Sequence, residues 1–242
     1  MLSIYRKEIN AFFSSLIGYI AIVVFLVITG LIVWVFPDTN LLDYGFASLE
    51  SLFFVAPWVY LFLIPAITMR SIAEERRTGT IELLFTRPIS DFQILMAKYL
   101  AGVTLMVIAI IPTFVYYVSM HYLGNPVGII DDGATFTSYI GLILLGAVFV
   151  SIGIFASSIT NSQIVAFIVA MFLSWFFYDG LTLLGSFNLM GKFDYVVQYL
   201  GLSFHYDSIK RGVIDTSDIV YFLSVIAVFI FAALTVIKSI KK

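Results

Sequence analysis

Residues 138–184, SYIGLILLGAVFVSIGIFASSITNSQIVAFIVAMFLSWFFYDGLTLL, decide the fold class. The stretch carries one charged residue, Asp179. It is more than twice the roughly 20 apolar residues an α-helix needs to cross ~30 Å of hydrocarbon. A single span cannot absorb it. Its one polar interruption is Ser157-Ser158-Ile159-Thr160-Asn161-Ser162, which reads as a tight turn between two antiparallel spanning helices. Porin-like alternation is absent, so the spans are helices and not strands of a barrel.

Working outward, uncharged runs of spanning length occur at 16–36, 51–69, 99–120 and 219–237. With 138–160 and 162–184 they predict an all-α polytopic membrane protein of six transmembrane helices. Composition agrees. Of 242 residues, 61% are hydrophobic and 12% charged, half the roughly 25% charge of a soluble domain. The net charge of −2 gives no case for a nucleic-acid partner, and the absence of cysteine excludes disulfides and thiolate metal sites. The 16–36 run is too long for a signal-peptide core, and Trp34-Val35-Phe36-Pro37 offers no small-residue cleavage site. Ahead of it, Leu2, Tyr5, Ile9, Phe12, Phe13 and Leu16 recur at helical spacing, with Ser3, Arg6, Lys7, Asn10 and Ser14 largely on the other face. That pattern predicts an N-terminal amphipathic helix lying in the membrane interface.

Basic residues set the expected orientation. The N-terminal segment, the 70–98 loop and the C-terminus hold ten of the 13 Lys and Arg residues. The 37–50 and 121–137 loops hold none, but carry Asp38, Asp43, Glu50, Asp131 and Asp132. By the positive-inside rule both termini and the 70–98 loop are cytoplasmic, and 185–217 lies outside.

Only one cytoplasmic loop of any size results, and it begins Arg70-Ser71-Ile72-Ala73-Glu74-Glu75-Arg76-Arg77-Thr78-Gly79-Thr80-Ile81-Glu82-Leu83-Leu84. Ser71 and Glu74 have the spacing of a capping box. Gly79 can end that helix, and Thr80 can cap a second turn carrying Ile81, Leu83, Leu84 and Phe85. Ser90, Asp91 and Gln93 then open the third span, after Pro88. A short charged helix with an apolar tip suits docking into a groove on a partner protein; a solvated loop that fixes topology has the same spacing.

Elsewhere the chemistry is sparse. His121 and His205 are the two histidines, both on the outer side, and read as interfacial polar residues rather than ligands. Glu74-Glu75 with His121 and Asn125 does not make a CAAX-type membrane protease. Gly79 stands where that motif needs Arg, and a proton cannot be shared across the bilayer. Asp179 reads as interfacial near the outer end of the fifth span. Pro57, Pro65 and Pro112 predict kinks. Gly141, Gly146, Ala147, Ser151, Gly153 and Ser157 predict close helix packing along the fourth span. A phosphate-cradling Gly-x-x-x-x-Gly-Lys-Ser/Thr loop is absent, so the chain does not itself hold ATP. Midplane acids or related halves, expected of a secondary transporter, are not evident.

Residues 70–90 followed by Lys98 resemble the coupling region of type-2 ABC (ABC-2) exporter permeases. Tyr5-Arg6-Lys7-Glu8 and Phe13-Ser14-Ser15-Leu16-Ile17-Gly18-Tyr19 are similar to that family's N-terminal helix and entry to its first span. The stretch from Leu202 to Asp215, LSFHYDSIKRGVID, resembles the approach to the last span in one branch. That branch includes the gliding-motility permeases, to which the whole chain looks closest, and the copper-related permeases of nitrous oxide reductase maturation.

The resemblance implies one ABC-2 permease domain over 1–242, in a bacterial inner membrane. It implies docking of two ABC ATPase subunits on Ser71, Glu74, Glu75, Arg76, Arg77, Thr78, Gly79, Thr80, Ile81, Glu82, Leu83 and Leu84. ATP and Mg would sit on those partners, with no cofactor and no catalytic residue here, and a second transmembrane subunit, a different chain or a second copy, would complete the path. It also implies that 185–217 re-enters the membrane as an outer gate. Independently, Leu181 to Leu189 and Val196 to Leu202 are too apolar for a free loop and too short to span. A hairpin resting on the outer leaflet is the other reading of that segment. Gliding, copper-related maturation, and lipid or polysaccharide export are the outputs this likeness admits; a secondary transporter is the reading outside it.

Overall fold

A computed structural model describes residues 1–37, 39–42, 47–82, 88–187 and 191–241. Helix α1 (Leu2–Phe13) precedes α2 (Leu16–Trp34) and α3 (Glu50–Thr68); the short α4 (Ala73–Arg77) follows. Next, α5 (Asp91–Ile110) passes through a 3-10 turn, Ile111–Thr113, into α6 (Phe114–Leu123). Then α7 (Asp132–Ile159) leads to α8 (Gln163–Trp175), a π-helical turn (Phe176–Gly180) and α9 (Leu181–Ser186). Finally α10 (Lys192–Tyr199), α11 (Leu202–Lys210) and α12 (Thr216–Ile240) complete the chain. Among the described residues six helical stretches are long and apolar enough to cross a membrane.

Local chemistry starts these helices where it should. Ser15 accepts from the Gly18 amide at the head of α2, and Asp131 from the Ala134 amide at the head of α7. Ser90 and Gln93 form a reciprocal capping box at the head of α5. Asp215 caps α12, and the Ser217 amide holds its carboxyl below the usual range.

Two helices extend beyond the expected spans. The helical stretch that contains 99–120 runs from Asp91 to Leu123. Lys98 had truncated it, but that charge is paired and sits inside the helix. The helix that contains 138–160 begins at Asp132, and within its first turns Thr135 returns its hydroxyl to the Asp131 carbonyl. Of the three prolines, Pro57 and Pro65 lie within one continuous α3, whereas Pro112 coincides with the change to 3-10 geometry.

Helix α7 is the axis of the bundle, packed against α3, α5, α8, α11 and α12. Its glycines set the approach distances. A Cβ at Gly146 would stand 2.8 Å from Met106, and one at Gly141 2.6 Å from Ile209. Such contacts are what small residues in packed spans allow. By contrast α2, α8 and α12 present large apolar side chains outward, among them Val23, Phe172 and Phe231; those faces are suited to lipid.

Ion pairing places the two ends. Lys241 lies 3.3 Å from Asp91, so the C-terminus and the start of α5 share the end that carries α1 and α4. The opposite end holds α9, α10 and α11. There Ser138 donates to the Lys210 carbonyl at 2.8 Å and Tyr206 to the Phe53 carbonyl at 2.9 Å. Leu202, Tyr206 and Ile209 are core residues, while Phe193, Tyr195 and Val196 of α10 are exposed. Asp38 and Asp43, used in the orientation argument, lie outside the described residues.

Candidate functional site

The site is built from the turn that leaves α3. Its carbonyls and amides need partners as α3 gives way to α4. The expected Ser71–Glu74 capping box does not form: α4 has no side-chain cap of its own. Instead Ser157, at the end of α7, accepts from the amides of Ile72 and Ala73, each at 3.0 Å, and donates to the Met69 carbonyl at 3.1 Å. One hydroxyl proton and two lone pairs are thereby all used. Arg76 reaches the same helix end and donates to the Ser158 carbonyl, where the α7 dipole favours a cation.

Beneath α4 lies a knot of charge. Lys98 is 1% exposed; its ammonium donates to Glu8 Oε1 at 2.7 Å and to the Ser71 carbonyl at 2.6 Å. Glu75 Oε2 stands 2.9 Å from the same nitrogen, an ion pair without hydrogen-bond alignment. The other Glu75 oxygen takes Lys7 at 2.7 Å. Two cations and two carboxylates from α1, α4 and α5 thus close into a neutral cluster. Around it Ile4 packs on Ile94 and Ala97, and the Tyr5 hydroxyl meets Thr104 at 2.9 Å.

This arrangement divides the expected docking residues. Ser71, Glu75 and Ile81 are buried, and Arg76 is turned to α7. Glu75 and Arg76 therefore serve the chain's own fold, and Ile81 belongs to its own core rather than to an exposed tip. Arg77, Thr78, Gly79, Thr80 and Glu82 are exposed, and Glu74 half-exposed. Gly79 ends α4 at φ +71°, a left-handed conformation that favours glycine. Thr78 returns its hydroxyl to the Glu74 carbonyl at 2.9 Å and pairs with the Thr80 hydroxyl at 2.9 Å. Leu83 and Leu84, with Phe85, lie outside the described residues. Sequence reasoning gave no role to Glu8, Ser157 or Ser158 here. Lys98 had a signal: an ammonium eight residues past the Ser90 cap must face a partner.

At the other end His205 is buried rather than interfacial. Its Nδ1 meets Asp218 at 2.7 Å, its Nε2 the Tyr199 carbonyl at 2.9 Å, and its ring stacks on Tyr221 at 4.0 Å. Ser208 donates to Asp218 at 2.5 Å. Because Ser208 meets Asp218 and the His205 backbone carbonyl but not the imidazole, no nucleophile–base pair results. His121 packs against the Gly128 turn, and Asp179 falls in the π-helical turn. Among the described residues no group of three or more His, Asp or Glu could hold a metal ion.

A family model described as ABC-2 family transporter protein matches residues 2–239. No curated protein matches the chain.

Proposed function

The chain belongs to the ABC-2 family of transporter proteins, and on that premise we propose that its α4 end is where an ATPase subunit docks. It is a multi-pass membrane permease subunit and not an enzyme; permeases of this family pair with separate ABC ATPases. The observation that carries the docking reading is the Lys98 knot. It fastens α4 to α1 and α5 at once, so a push on the exposed rim moves three elements together instead of bending a loop.

Arg77, Thr78, Thr80 and Glu82 form that rim, with Leu83 and Leu84 following it in sequence. That end faces the cytoplasm of a bacterial inner membrane, as the distribution of Lys and Arg supports. A second transmembrane subunit completes the path, and 185–217 acts as its outer gate. The likeness of the whole chain favours work in gliding motility over copper-related maturation or lipid export.

Co-purification of the ATPase with membrane-inserted variants tests the docking reading. A fully desolvated residue at the centre of an interface can act as a hot spot, with truncation costing about 2 kcal/mol or more, whereas an exposed ion pair contributes ~0–1 kcal/mol. Leu83→Ala and Leu84→Ala should therefore release the ATPase, and Arg77→Ala should weaken it slightly. Gly79→Pro should release it too, since proline cannot adopt φ +71°. Full retention in Leu83→Ala, Leu84→Ala and Gly79→Pro together means that the segment fixes topology and nothing more.

A further inference from the structure

Beside the charged knot is open space. A cavity of about 540 Å³ lies where α1, α2, α3, α5 and the 70–80 segment meet. One wall is polar, with Arg70, Ser71, Glu74 and Thr78; the other is apolar, with Ile17, Ala66 and Leu105. Its charged groups are not equivalent. Lys7, Glu8, Glu75 and Lys98 are committed to one another. Arg70 and Glu74 are four residues apart and line the same cavity, yet among the described residues neither has an ion-pair partner. Arg70 Nε and Ser71 Oγ are both buried with no hydrogen-bond partner. A buried guanidinium N–H and a buried hydroxyl left unpaired call for an acceptor.

A second space continues from the first. An apolar groove of about 400 Å³ shares Ile17 and Ala66 with the cavity and runs along α2 to Ile32. Val55, Val59 and Leu63 of α3 form its floor, and Phe167 of α8 borders it. Ile17 to Ile32 spans roughly 22 Å at 1.5 Å per residue, enough to hold a chain through one ~15 Å leaflet of hydrocarbon.

We propose that cavity and groove together bind one phospholipid with a primary-amine headgroup. Arg70 and Ser71 donate to its phosphate, Glu74 accepts from its ammonium, and one acyl chain lies along α2. The headgroup chemistry follows from the charge count. Among the described residues that line the cavity, the four charges of the knot cancel and Arg70 and Glu74 add one cation and one anion, the complement of a zwitterion. An anionic glycerol headgroup would satisfy Arg70 and leave Glu74 facing it unpaired. A trimethylammonium headgroup has no N–H to give Glu74. Free inorganic phosphate would fill neither Glu74 nor the groove. The site does not depend on what docks at α4.

The test uses the purified, delipidated full chain with no ATPase present, so its outcome is separate from that of the docking reading. Dioleoyl phosphatidylethanolamine, phosphatidylcholine and phosphatidylglycerol compete in detergent, and bound lipid is counted by native mass spectrometry. One phosphatidylethanolamine per chain should be retained, with preference of about tenfold over either competitor, the scale of a hydrogen bond to a charged group. Glu74→Gln changes a half-exposed, unpaired residue and leaves the fold in place. It should erase the preference over phosphatidylcholine while a phospholipid stays bound. Arg70→Gln should lower retention of all three. Glycerophosphoethanolamine, which lacks acyl chains, and inorganic phosphate should displace the lipid poorly. Equal retention of the three lipids, retention unchanged in both variants, or ready displacement by either small competitor would overturn the proposal.

Discussion

Each end of the bundle encloses a buried polar knot, and the two are tied differently. At the α4 end the pairs are distant in sequence: Lys7 to Glu75 spans 68 residues and Glu8 to Lys98 spans 90. At the other end His205 is held by Asp218 and the Tyr199 carbonyl, 13 and six residues away. The first knot joins three elements far apart in sequence, alongside the Ile4–Ile94 packing and the Ser157 cap. The second clips one turn of chain onto the head of α12. A joint of the first kind transmits displacement between α1, α4 and α5, whereas a clip of the second kind only stiffens its own corner.

Removing the centre of each knot should break this contrast most visibly. Lys98→Met takes the 2.7 Å partner from Glu8 and leaves Glu75 with Lys7 alone; it should destabilise the protein by about 3 kcal/mol, read as thermal unfolding in detergent. Hydrogen exchange should rise together in 2–13 and 70–80. A rise in one segment alone would show that the knot does not couple them. Asp218→Ala strands one His205 nitrogen, while Ser208 keeps the His205 carbonyl as acceptor, at a cost of about 1–3 kcal/mol. Its added exchange should stay within 199–218, and spread to α1 would erase the distinction between joint and clip. Smaller again, Ser157→Ala removes the cap from two amides of α4 and should cost about 0.5–2 kcal/mol, with exchange rising at Ile72 and Ala73 first. Unchanged protection there would mean that α4 is held by the charges alone.

What could be read in advance follows the same division between local and distant. The turn between α7 and α8, which the structure narrows from 157–162 to 160–162, the Ser90–Gln93 cap, the close-packing glycines of α7 and the break at Gly79 are properties of neighbouring residues, and the chain states them directly. Lys98 was legible as a charge but not as a paired one, because Glu8 and Glu75 reach it only when three helices meet. The same pairing buries Glu75, and the α7 terminus holds the Arg76 guanidinium. Ser71 failed as a cap for the corresponding reason: Ser157, more than 80 residues away, reaches the Ile72 and Ala73 amides. His205 looked interfacial because nothing in its sequence neighbourhood announces that Tyr221 and Asp218 will enclose it.

The central claim is that the rim of α4 meets the ATPase, and site-specific photo-crosslinking tests it most directly. A crosslinking amino acid is placed singly at Arg77 and Glu82, both exposed at the α4 end, and at Val127, exposed at the other. Irradiation of membranes containing the assembled complex should join the ATPase to positions 77 and 82 and leave 127 free. Crosslinking at 127, or none at 77 and 82 in a complex that still hydrolyses ATP, would contradict it.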